Sequence, residues 1–197
     1  MKNMLKLGIV LSLFAAAACV MLAFVYEFTK KDIELNTVKA ENKIMESLFD
    51  DDTVRFNPVS GIVSGDERVV IQKAWEAVKN GETIGAVLQL SRAGYGGPVI
   101  TMVGVSVNET ITGVRIMDHK ETPGLGANAA SPKYFVNREK GITFYGQFEK
   151  KKVTDPFTIN NDVEAITAST ITSTAVSDSV KAAGLAAKAF FAGKGTK

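Results

Sequence analysis

The sequence predicts an α+β protein with a single N-terminal transmembrane helix, followed by a domain with a mostly antiparallel sheet and flanking helices. Three observations lead there. Residues 7–26, "LGIVLSLFAAAACVMLAFVY", run for 20 positions without a charge. Four short runs rich in Val and Ile lie between residues 68 and 118, separated by Gly, Asn and Pro. The chain then closes on an Ala-rich stretch with apolar residues at helical spacing.

Taken in order, the apolar run comes first. At a rise of about 1.5 Å per residue, 20 helical residues span roughly 30 Å, the thickness of a bilayer's hydrocarbon core. A cleaved lipoprotein signal ending at Cys19 is the rival reading. Residues 20–25 stay apolar beyond that cysteine, however, and Ala16 stands where such signals usually carry Leu, so residues 1–28 are expected to be a retained anchor. Lys2 and Lys6 precede the run while Lys30 and Lys31 follow it, so flanking charge gives no orientation.

Residues 29–60 are expected to form an amphipathic helix and a connector. Ile33, Val38, Ile44, Met45 and Leu48 recur at helical spacing over residues 29–49, and "DDDTVRFNPVSG" then breaks the pattern. Residues 61–197 form the third region. Within it "RVVIQKAW", "IGAVLQLS", "VITMVGVSV" and "ITGVRIMD" are expected strands, "SPKYFVNREKG" a short helix and "ITFYGQF" a further strand. Residues 177–191, ending before Gly193, read as a helix with Val180, Leu185, Ala189 and Phe190 available for burial.

Composition narrows the chemistry. A net charge of +2, 22% charged residues and no basic tract make nucleic acid an unsuitable partner. Cys19 is the only cysteine, which excludes an internal disulfide and a cysteine-ligated iron–sulfur cluster. His119 is the only histidine, which argues against a zinc site and against any Ser–His–Asp set that does not include it, so no metal is expected. Any chemistry would come from a cofactor.

Three stretches remain. "RAGYGGPV", residues 92–99, reads as a turn between strands; it lacks the GxGxxG order and a following helix, which excludes a dinucleotide fingerprint. "DHKETPGLGANA", residues 118–129, is either a plain polar loop or one whose glycines let backbone approach a flat ligand. "EAITASTITSTAV", residues 164–176, carries the hydroxyls of Thr167, Ser169, Thr170, Thr172, Ser173 and Thr174. One or two of these would serve as a helix cap and Thr also suits a half-buried strand; the other reading is a phosphate at a helix N-terminus, and composition does not choose between them.

These residues carry a resemblance. "EAITASTITSTAV" resembles the flavinylation motif of the FMN-binding domain family: an acidic residue, two positions, then Ser/Thr-Gly-Ala-Thr. On that pattern Glu164 is the acidic residue, Thr167, Ala168 and Ser169 take the next three places, and Thr170 is the acceptor. "HKETPGLG" resembles a second signature of these proteins, and "GYGGPV" with "ITMVGVSV" a third. With its single anchor, the whole chain is similar to the G subunit of the Rnf electron-transport complex, a relative of the C subunit of the sodium-pumping NADH:quinone reductase. Ala168 and Ser169 replace the usual Gly and Ala, and Glu164 the commoner Asp; an added methyl at 168 matters only if that backbone needs positive φ.

The resemblance implies that residues 61–197 are an FMN-binding domain with FMN joined through its phosphate to Thr170. Thr167, Ala168, Ser169 and Thr172 would surround the phosphate. Glu121, Thr122, Gly124, Leu125 and Gly126 would lie beside the isoalloxazine, with Leu125 against its apolar face and Thr122 on its polar edge. His119 and Glu121 are candidate proton-handling groups, although a lone His in a polar loop is more often structural. No residue is expected to be catalytic beyond the flavin. The chain would be an electron-carrier subunit, inactive alone, of an oxidoreductase coupling ferredoxin:NAD electron transfer to Na⁺ or H⁺ translocation. Its partners would be other membrane subunits, especially a second covalent-FMN subunit, and a flavin transferase. The implied location is the inner membrane, single-pass, with the C-terminal domain on the extracytoplasmic side. The alternatives are a membrane-anchored FMN-domain sensor or scaffold without electron transfer, and a flavin carrier of a quinone or extracellular reductase.

Overall fold

The computed structural model describes residues 2–194 of the chain. A long helix, α1 (Lys2–Phe49), is followed by strands β1 (Arg55–Val59), β2 (Val69–Lys79), β3 (Glu82–Ala93), β4 (Pro98–Ser106) and β5 (Ile111–Asp118). A 3-10 helix (Gly126–Ala130), the short strands β6 (Phe135–Asn137) and β7 (Ile142–Thr143), and helix α2 (Thr170–Lys194) complete it. The chain divides into two compact units, Met1–Lys43 and Ile44–Lys197. In the first, Asn3–Lys30 is long and apolar enough to cross a membrane. The expected anchor and the expected helix over 29–49 are one continuous element.

In the second unit β1 to β5 form an antiparallel sheet in sequence order. Pro58 falls in β1, an edge strand paired only with β2, where its missing N–H costs the ladder least. The central strands are buried on both faces, which explains their nearly unbroken apolar character. Alternation assigns the faces. Leu88, Leu90, Val99, Val103 and Val105 join Val176, Val180, Ala183 and Ala187 of α2 in the main core. Val87 and Met102 pack with Met45, Leu48 and Trp75 in a smaller core on the opposite face. That face is lined with glycine where the end of α1 arrives. A Cβ on Gly85 would stand 2.7 Å from the Phe49 ring, one on Gly104 3.1 Å from Leu48 Cβ, and one on Gly113 3.1 Å from Leu48 Cδ2. Gly104 and Gly113 are direct cross-strand partners, so the helix end beds against bare backbone.

Several local expectations are corrected. The connector after α1 contains a strand, β1. Residues 131–141 form no helix; Pro132 and Gly141 bracket turns and the strand β6. Only Ile142–Thr143 of "ITFYGQF" pair as a strand. The chain then turns, burying Phe144, Tyr145 and Phe148, with Phe144 and Phe148 edge to face at 5.6 Å. α2 begins at Thr170, ahead of residue 177, and its buried stripe is Val176, Val180, Ala183 and Ala187. Val180 is buried as expected, whereas Leu185 and Ala189 are exposed and Phe190 is half-buried. In this first part of α2 the hydroxyls turn back onto carbonyls one turn earlier: Ser173 Oγ donates to Ser169 O (3.0 Å) and Thr174 Oγ1 to Thr170 O (2.8 Å).

Candidate functional site

Three segments far apart in sequence meet at one cavity of about 490 Å³. The turn between β3 and β4 contributes Tyr95. The loop after β5 contributes Glu121, Thr122, Leu125 and Gly126. The start of α2 contributes Ala168, Ser169, Thr170, Ile171 and Thr172. The sheet fixes the first two, since β4 lies between β3 and β5, and α2 crosses the same sheet.

Glu121 ties these segments together. It is only 7% exposed, and both carboxylate oxygens are occupied: Oε2 accepts from Thr172 Oγ1 at 2.6 Å, and Oε1 from the Gly96 N–H at 3.0 Å. His119 Nδ1 accepts the Glu121 N–H at 3.2 Å, a local bond that shapes the loop. The geometry gives Glu121 a fastening role and gives His119 no place in the cavity wall.

The hydroxyl row separates into distinct environments. Thr172 is buried and bonded to Glu121. Ser173 is buried, donating to Ser169 O and accepting the Ile166 N–H at 2.9 Å. Ser169 is buried in the cavity wall, and its Oγ has no hydrogen-bond partner among the described residues. Such an orphan hydroxyl costs about 1–3 kcal/mol unless a ligand satisfies it. Thr170 opens α2, is exposed and lines the cavity. Thr167 is exposed but lies outside the lining, as does Gly124, which turns the loop at φ 79°.

Ala168 has φ 58°, the left-handed region. The position where the resemblance expects Gly therefore does use the conformation that favours Gly, and Ala holds it against a steric penalty. The first N–H groups of α2 lack intrahelical acceptors, and the helix dipole adds positive potential there. The cavity thus pairs an anion-seeking end with an apolar rim of Tyr95, Leu125 and Ile171. Tyr95 and Ile171 were not among the expected site residues. "GYGG" read as a turn, and it is one; the aromatic at its tip was the available signal. Nothing in the spacing distinguishes exposed Ile171 from buried Ile166 and Val176.

A family model described as "FMN-binding domain" matches residues 94–184, the span that holds all three segments. A second, described as "RnfG N-terminal region", matches residues 1–48. The chain is 33% identical over 182 residues to the G subunit of the proton-translocating ferredoxin:NAD(+) oxidoreductase complex of Clostridium ljungdahlii, covering 89% of this chain and 86% of that protein. It is 29% identical over 186 residues to the G subunit of the ion-translocating oxidoreductase complex of Methanosarcina acetivorans, covering 92% and 93%. It is also 29% identical over 199 aligned positions to the G subunit of the Na(+)-translocating ferredoxin:NAD(+) oxidoreductase complex of Acetobacterium woodii, covering 91% and 89%. The molecule carries an FMN-binding domain behind an apolar helix of membrane-spanning length. The chain belongs to the G-subunit family of ion-translocating oxidoreductase complexes.

Proposed function

We propose that this chain is the FMN-bearing electron carrier of a membrane complex that couples ferredoxin:NAD electron transfer to translocation of Na⁺ or H⁺, with FMN held through a phosphoester at Thr170. One observation carries the site assignment. Of the six hydroxyls in the row, Thr170 alone is both exposed and part of the cavity wall. Thr167 is exposed outside the lining, while Ser169, Thr172 and Ser173 are buried.

The residues present suit FMN. The cavity volume falls within the range of about 300–1,000 Å³ typical of small-ligand sites. Orphan Ser169 Oγ and the N-terminus of α2 favour a phosphate, and the rim of Tyr95, Leu125 and Ile171 favours a flat apolar ring. Attachment exchanges the Thr170 hydroxyl proton for the flavin phosphoryl group, with a transferase presenting an activated flavin nucleotide and releasing its leaving group. FMN supplies the redox chemistry when bound. The protein's own work is to position it: Glu121 fixes the loop, Thr122 and backbone N–H groups meet polar edges, Leu125 covers apolar surface, and Gly124 and Gly126 keep the loop close. Residues 1–28 serve as a single-pass anchor, and the domain that follows carries the flavin on the extracytoplasmic side. Other subunits of the complex, including a second covalent-FMN subunit, are the electron-transfer and docking partners.

Thr170→Val tests the reading, because it keeps β-branching and deletes the acceptor oxygen. Intact mass and in-gel fluorescence after denaturation should show one FMN on the parent chain and none on the variant, with folding preserved. Thr167→Val should keep its flavin. A Thr170→Val chain that retains denaturation-resistant flavin would sink the assignment.

A further inference from the structure

Tyr95 is an exposed aromatic at the tip of a turn whose backbone is fastened on both sides. Its side chain is 75% exposed. The turn carrying it is closed by Gly94 N–H to Gly97 O at 2.8 Å and fastened by Gly96 N–H to Glu121 Oε1 at 3.0 Å. There is no slack beneath it: a Cβ on Gly96 would collide with the Lys120 carbonyl, and one on Gly94 would stand 2.7 Å from Val99 Cγ2 and collide with the Glu121 carboxylate. The sequence places a large aromatic at the tip of a turn with no spare volume, at the mouth of a cavity. Leu125 (43% exposed) and Ile171 (52%) join it there from the two other segments.

A lone exposed aromatic needs no explanation. Three exposed apolar side chains converging from three segments, one on a latched turn, form a built surface. Its chemistry is that of a flat, electron-poor aromatic guest: a phenol face for offset stacking and two aliphatic side chains for contact. We infer that Tyr95 stacks on the isoalloxazine ring of the bound flavin, and that the Glu121 latch holds it in place. This role rests on the flavin reading above. In contact, a phenol lends an electron to photoexcited flavin and takes it back, which returns both groups to their starting state and quenches emission. Tyr95 would also shield the ring from solutes.

The test uses the full-length, flavin-loaded chain in detergent micelles, as the parent and as Tyr95→Ala, Tyr95→Phe and Tyr95→Trp. Flavin content per chain is measured first, then emission yield and quenching by iodide. Emission and quenching are then compared per bound flavin, because Tyr95 belongs to the cavity rim and loading is a separate readout. The parent and Tyr95→Trp should be weakly emissive and shielded from iodide. Tyr95→Ala should gain emission severalfold and become severalfold more sensitive to iodide. Tyr95→Phe, with a ring too hard to oxidise, should gain emission while staying shielded. Unchanged emission and shielding in Tyr95→Ala at full flavin content overturns the stacking role, including the outcome in which that variant loses only association with other subunits. A parent chain without flavin overturns the reading of the site itself, and the stacking role with it.

Discussion

The Thr172 hydroxyl donates to Glu121 Oε2 at 2.6 Å, joining the first turn of α2 to a loop 51 residues earlier in the chain. Both groups are buried. Thr172→Val keeps the shape and leaves a buried carboxylate oxygen without that donor, which should cost about 1–3 kcal/mol. Denaturant unfolding of the parent and variant checks this, with Thr172→Ser expected to recover most of the loss. Equal midpoints for the parent and Thr172→Val would show that Glu121 finds another donor.

Ala168 offers a gain. A non-glycine residue in the left-handed region costs roughly 1–2 kcal/mol, part of which Gly gives back through its freer unfolded chain. Ala168→Gly should therefore stabilise the fold by about 0.5–1 kcal/mol. A β-branched Ala168→Val should do the opposite. Melting temperatures of the three proteins should rank Gly, Ala, Val in descending order; any other order contradicts the strain at φ 58°.

Gly113→Val places branched carbon where a Cβ already stands 3.1 Å from Leu48 Cδ2. Overpacking of this kind costs about 1–3 kcal/mol. Leu48→Ala alone should also destabilise, by about 2–5 kcal/mol, because Leu48 is fully buried. Combined, the two should cost less than their sum, since the truncated Leu48 makes room for the valine. Strict additivity in a double-mutant cycle would separate the two sites.

Asp162 makes the loop before the hydroxyl row sensitive to acid. Burial opposes its charged form, but the Thr158 N–H (2.7 Å), the Lys151 ammonium (3.0 Å) and the Phe157 N–H (3.1 Å) outweigh that and hold its pKa below the ordinary value. A depressed folded pKa means that the contribution is complete above the unfolded value of about 4 and fades as the pH falls below it. Asp162→Asn should lower stability at neutral pH and flatten the part of the acid-induced loss that belongs to this group. Unfolding midpoints measured from pH 7 down to about 3 would show it; parallel curves for the two proteins would contradict it.

Much of this fold was legible because its signals are local. A charge-free run of 20 residues and four Val/Ile runs bounded by turn residues point to a helix and strands without tertiary information. The misread parts depended on long-range partners. Phe144, Tyr145 and Phe148 sit in turns whose burial comes from the main core, so alternation had nothing to report. The start of α2 at Thr170 is hidden by its run of Ser and Thr, weak helix formers whose hydroxyls here bond carbonyls one turn back. At the site, the motif spacing picks out segments that line one cavity, but the burial of Thr172 depends on Glu121 arriving from another loop. The role of Tyr95 is not legible from the chain alone, because the glycines on both sides point to a turn and say nothing of what its tip presents.

The burial of Ser169, Thr172 and Ser173 beside exposed Thr170 has a consequence for timing. A synthetic chemist facing neighbouring alcohols masks those that must not react; for the proposed attachment at Thr170 the tertiary structure would be the mask. In an extended chain these hydroxyls would be near-equivalent nucleophiles, and an attaching enzyme would have to discriminate among them by sequence alone. Once the domain has folded, topography would have made much of that choice, which would leave room for departures such as Ala168 and Ser169 from a strict recognition motif. On the proposed attachment at Thr170, maturation would have a preferred order, folding before labelling. A population with flavin scattered along the row would be a record of chains labelled while still open.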